Sequence, residues 1–166
     1  MTSSVHELGL PESITDKVVM HPVEDLALAI SRDKLPDLPC YSLIPLDTSD
    51  TPFFAVYRRV PFVGAWNGDH RFIDHANLVA HVFTKDPNAD EKGALISEAI
   101  RQSFWEAGRE QKEYPGLGHL ISVRMPTEPT RQTDWATSSG PVQYADLPLG
   151  FFRYQTNYTW KIRRPS

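Results

Sequence analysis

Hydrophobic and polar positions alternate with a period of two along FFRYQTNYTWKIRR (151–164). Phe152, Tyr154, Thr156, Tyr158, Trp160 and Ile162 fall on one side, and Arg153, Gln155, Asn157, Thr159, Lys161 and Arg163 on the other. The pattern predicts a long strand with one apolar, aromatic face and one polar, partly basic face. FFAVYRRVPF (53–62), rich in aromatic and β-branched residues, reads as a second strand. NLVAHVFTK (77–85) is apolar on both sides and reads as a central strand, and LGHLISVRM (117–125) as a fourth. Asn67-Gly68 is a turn signal between the 53–62 and 77–85 runs.

Two stretches carry helical spacing instead. In HPVEDLALAISRDKLP, Val23, Leu26, Ala27 and Ile30 share a face; Pro22 suits the first turn, Glu24 and Asp25 complement the positive end of the helix dipole, and Pro36 stops it. In the second, Leu95, Ile96, Ala99, Ile100, Ser103, Phe104 and Ala107 form the stripe. Asn88 with Glu91 reads as a capping box, and Pro115-Gly116 ends the helix near Tyr114. Trp105 lies off the stripe, free either to pack under a loop or to anchor a partner. Residues 1–20 read as an arm. Residues 126–150, with four prolines and two glycines, read as a long excursion before the closing strand. The expectation is an α+β fold: a mostly antiparallel sheet covered by helices, with an N-terminal arm (1–20) and one domain over 21–166.

Composition narrows the function classes. The 166 residues are 40% hydrophobic and 23% charged, as in a soluble globular chain, and no apolar run is long enough to span a bilayer. The N-terminus lacks the basic and apolar regions of a secretory signal, which favours a cytosolic origin. A single cysteine, Cys40, excludes an internal disulfide and a cysteine zinc site. A net charge of −4 argues against nucleic-acid binding by the molecule as a whole.

Chemistry-bearing residues gather in GDHRFIDHANLVAH: Asp69, His70, Asp74, His75 and His81. A metal-dependent hydrolase using His70, Asp74 and His75 is the alternative that this cluster offers. The spacing matches no fixed ligand motif, and His81 is expected on a different strand from the turn that holds His70 and His75. No nucleophile elbow or phosphate-cradling loop occurs, so the expectation is no catalytic residue, no cofactor and no metal. Arg58, Arg59, Arg71, Arg153, Lys161, Arg163 and Arg164, with Tyr57, Phe62 and Tyr154, suit either a single-strand-binding groove or pairing with acidic groups of a neighbouring subunit. Trp135, Val142, Tyr144, Leu147 and Leu149 are apolar groups in the proline-rich excursion that a lone soluble molecule gains little by exposing. Together with Trp105, Arg153, Lys161 and Arg163 they are the candidate interface residues.

With these elements placed, the chain resembles the tail terminator (tail completion) proteins of long, non-contractile-tailed bacteriophages. The resemblance rests on VEDLALAISRDKL, AVYRRVPF, LVAHVFTKDPNADEKGALISEAIRQSFWEAG, GHLISVRMPTEP and FRYQTNYTWKIRR, and spans roughly residues 22–164. It departs from small family members in the 1–20 arm and the 126–150 excursion. The resemblance implies an α/β fold that assembles as a ring, usually a homohexamer, at the head-proximal end of the tail. Such a ring caps the tail tube protein, stops tube polymerisation and offers a surface to a head-side connector or neck protein. Genomic DNA passes its lumen without specific binding, and no membrane is involved. The protein would be made in the host cytoplasm and reside in the virion. Another neck or connector ring protein is the nearest alternative.

Overall fold

The computed structural model describes residues 9–18, 21–61, 72–132 and 151–165. The elements run α1 (Glu12–Thr15), α2 (Val23–Lys34), β1 (Cys40–Tyr41), β2 (Phe53–Val60), β3 (Ile73–Lys85), α3 (Ala89–Glu110), β4 (His119–Gln132) and β5 (Phe151–Arg163). One five-stranded sheet has the order β1-β2-β3-β5-β4. Among the described residues, only the short β1–β2 pairing is parallel; β2–β3, β3–β5 and β4–β5 are antiparallel. This is the expected α+β architecture.

The period of two in the sequence becomes two different sheet faces. Ala55 and Tyr57 of β2, Ala76, Leu78, Ala80 and Val82 of β3, and Tyr154, Tyr158, Trp160 and Ile162 of β5 are buried in the main core. Against them pack Val23, Leu26, Ala27 and Ile30 of α2 and Ile100, Phe104 and Ala107 of α3. The opposite face holds a smaller apolar cluster of Phe54, Val56, Phe83 and Phe151, with Ile44 beside it. Elsewhere its β5 row is Gln155, Asn157, Thr159 and Lys161, all half-buried. β3 is apolar on both faces because it lies mid-sheet and contributes to both clusters.

Several boundaries differ from the sequence reading, each for a physical reason. Residues 126–132 are strand, not the start of a loop: they extend β4 along β5 to Gln132. Pro126 and Pro129 fit because the register shifts between Arg124 and Thr127 and again between Thr127 and Thr130. β4 is also an edge strand, where a residue without an N–H is tolerated. Residues 133–150 lie outside the described residues.

α3 ends at Glu110 rather than near Tyr114, with Gln111 in the left-handed region (φ 50°). Tyr114 instead bridges to Gly118. Gly118 has φ 95°, and a Cβ there would run into the Arg163 carbonyl, so the turn into β4 needs glycine. Asn88 does not form the capping box: it too is left-handed (φ 58°), and its side chain makes no cap hydrogen bond. Leu95 does not belong to the buried stripe, being 64% exposed, whereas Ile96 packs at the core margin. Leu95 falls in the row of the exposed Glu91, Glu98 and Gln102, whereas Ile96 borders the buried row of Gly93, Ser97, Ile100 and Phe104.

Candidate functional site

Asp74 and His75 are neighbours on β3, so their side chains leave opposite faces of the sheet. Asp74 is buried, and its Oδ2 accepts a hydrogen bond of 2.9 Å from Arg164 Nη2. Its Oδ1 lies 3.7 Å from Arg59 Nη2. The Arg164 guanidinium also donates to the Leu117 carbonyl at 3.4 Å, and its backbone N–H donates to Phe72 O at 2.9 Å. Asp74 is therefore the counter-ion that fixes the end of the closing strand.

His81 is not on a separate strand, as expected from the sequence, but on β3 with Asp74 and His75. It lies six positions beyond His75, roughly 20 Å along extended chain. His70 and Asp69 lie outside the described residues. Among the described residues, no three His, Cys, Asp or Glu side chains converge as metal ligands. Burial raises the pKa of the Cys40 thiol, which keeps it protonated.

Burial, reinforced by the nearby charges of Arg153 and Arg58, pushes the pKa of His81 down to about 3. The folded protein thus holds His81 neutral, while the unfolded chain protonates it below its ordinary value of 6.5. Stability from this group is fully present above that value and is lost as pH falls from there towards about 3. Between pH 7 and pH 5 the loss from this residue is about 2 kcal/mol by linkage. The check is urea unfolding at both pH values: His81→Gln should flatten the pH dependence by about that amount, and an unchanged slope would remove His81 as its source.

The candidate interface residues separate. Trp105 is 49% exposed on the outer side of α3, with the Arg109 guanidinium 4.8 Å from its ring centre. Arg163 is exposed and Lys161 half-buried at the end of β5. Arg153 is only 7% exposed and pairs with Phe83 of β3 in the ladder. Trp135, Val142, Tyr144, Leu147 and Leu149 fall outside the described residues.

Two features had no distinct sequence signal. One is an apolar recess of about 290 Å³ lined by Leu35, Pro36, Leu38, Phe53, Ile96 and Ala99, with Lys34 and Asp37 beside them. It joins the end of α2, the start of β2 and one face of α3, which no single periodicity links. The other is a grouping of cations: β4 places Arg124 opposite Thr159, on the same sheet face as Lys161 and Arg163. No protein-family model matches the chain, and no curated protein matches it.

Proposed function

We propose that this chain is a structural phage protein, a ring subunit that caps the tail tube, ends its polymerisation and joins the tail to the head. What carries the reading is the run of elements by which the sequence resembles tail terminators: a short helix, an AVYRRVPF strand, a strand leading into a long helix, GHLISVRMPTEP, and a two-faced closing strand. The α+β sheet with two helices on one face is compatible with it. The net charge of −4 suits a ring through which DNA moves without being gripped. The hydrolase alternative loses support because the Asp74 carboxylate is taken up by Arg164 and shares no sheet face with His75. The partners in this reading are other copies of the chain, the tail tube protein and a head-side connector.

The test is a phage lacking the protein, imaged for tail length and for the fraction of filled heads carrying tails. Tails of uncontrolled length and tailless filled heads are expected. Normal-length tails that fail to join heads would favour the neck or connector reading. Normal-length tails joined to heads would overturn both.

A further inference from the structure

Among the described residues, the two ends of the sheet carry opposite charges that no ion pair takes up. At the C-terminal end of β5, Lys161 and Arg163 project from the face away from the helices, and Arg124 on β4 stands diagonally from Lys161 on that face. None of these three side chains has an ion-pair or hydrogen-bond partner among the described residues. Two acids near that end are already engaged: Glu113 by His119 Nδ1 at 2.7 Å, and Asp74, on the other face of the sheet, by Arg164 at 2.9 Å. Like charges at such spacing repel, so folding alone gives no reason to gather them.

At the opposite end, Asp86 follows the last residue of β3 and Glu91 lies in the first turn of α3. Asp50 precedes β2, whose first residue, Phe53, pairs with Thr84 near the same end of β3. All three carboxylates are exposed and without such a partner among the described residues. The two lysines there are turned inward: Lys85 Nζ reaches the Thr48 carbonyl and the Phe151 ring, and Lys92 Nζ reaches the Lys85 carbonyl.

The 13 residues of β5 separate these ends by about 40 Å, several screening lengths at ordinary ionic strength. The patches therefore cannot neutralise each other within one molecule. They can do so between two molecules set head to tail.

We propose that Arg124, Lys161 and Arg163 of one copy dock on Asp50, Asp86 and Glu91 of the next. Such a contact joins two different surfaces, so it repeats from copy to copy and closes into a ring if the rotation per step allows. The choice of a second copy as occupant rests on the ring reading above. It is favoured over a phosphate polymer because the complementary patch is present on the same chain, whose net charge of −4 repels polyanions.

The experiment uses two charge-swapped full-length proteins, Lys161→Glu/Arg163→Glu and Asp86→Lys/Glu91→Lys, with circular dichroism to verify folding. Sedimentation measures association in about 20 mM and about 300 mM salt, which bracket weak and strong screening. Wild type should self-associate, and less so at high salt. Each variant alone should associate at least tenfold more weakly, and an equal mixture should recover assembly because the opposed patches are again complementary. If wild type assembles and neither variant differs, or the mixture fails to recover, this contact is wrong while the ring reading stands. A wild type that stays monomeric at about 20 mM salt, where surface charges are least screened, overturns the contact and leaves the ring reading to the tail phenotype. A DNA gel shift lost in Lys161→Glu/Arg163→Glu, with self-association intact, would assign the basic patch to a phosphate polymer instead.

Discussion

Phe104→Ala is expected to lower the unfolding free energy by about 3–5 kcal/mol, the range for truncating a fully buried aromatic. Phe104 is completely buried, and three aromatic rings surround it. Tyr158 and Trp160 of β5 meet it edge-on, with centroids 5.1 Å and 4.8 Å away. Tyr57 of β2 is tilted against it at 5.6 Å. Edge-to-face pairs add to simple area burial, so truncation removes both contributions and leaves a cavity. The cavity cannot readily collapse, because its walls are fixed elsewhere. Tyr57 is held by a 2.7 Å hydrogen bond with Ser31 of α2, and Tyr158 and Trp160 lie within a strand paired on both sides. Leu95→Ala, on the same helix but exposed, should stay within about 0.5 kcal/mol. Urea unfolding of the two variants checks the pair; a Phe104→Ala loss below about 1 kcal/mol would place Phe104 outside the core.

That contrast shows how far the sequence could be read. Alternation in 151–163 was decisive because a strand buried on one face imposes a period of two on its side chains, and Tyr154, Tyr158, Trp160 and Ile162 all turn to the helices. Helical periodicity located α3 but not the limits of its buried face, because a stripe containing both Leu95 and Ile96 is wider than the contact it serves. The β4 extension was hidden by Pro126 and Pro129, which read as loop residues until β5 supplied a partner and two register shifts supplied the slack. Asn88 looked like a cap because local spacing cannot reveal a left-handed backbone. In the candidate site, Lys161 and Arg163 were legible as the outward members of an alternating strand. Arg124 and the acidic group at the other end were not, since strand pairing and chain reversal bring them into place. Arg164 was read as one more surface cation, although it is buried against a carboxylate 90 positions away in the chain.

Removing Asp74 should be the most damaging single charge change. Its side chain and that of Arg164 are 1% and 2% exposed, so both charges have left water. Breaking a buried pair from one side costs about 3–5 kcal/mol, mostly from the ion left behind. The two directions are not equivalent. Asp74→Ala leaves Arg164 buried with the Leu117 carbonyl for its guanidinium and leaves Arg59 close by, adding repulsion to lost attraction. Arg164→Ala leaves Asp74 with Arg59 still within reach at 3.7 Å, so it should cost less. The double variant Asp74→Ala/Arg164→Ala should be milder than the sum of the two, by about 1–3 kcal/mol, as for residues in one network. Unfolding curves for the three variants test both the order and the non-additivity; additive losses, or a worse Arg164→Ala, would show that the pair is not the dominant interaction of either residue. The consequence reaches the assembly surface. Arg164 immediately follows Arg163, and its backbone N–H is bonded to Phe72 O at the mouth of β3. Loosening it should free the end of β5, so Arg164→Ala should become sensitive to trypsin at Lys161 and Arg163 while its core melts as one unit. If those sites stay as resistant as in wild type, the buried pair is not what holds the basic end of the sheet in place.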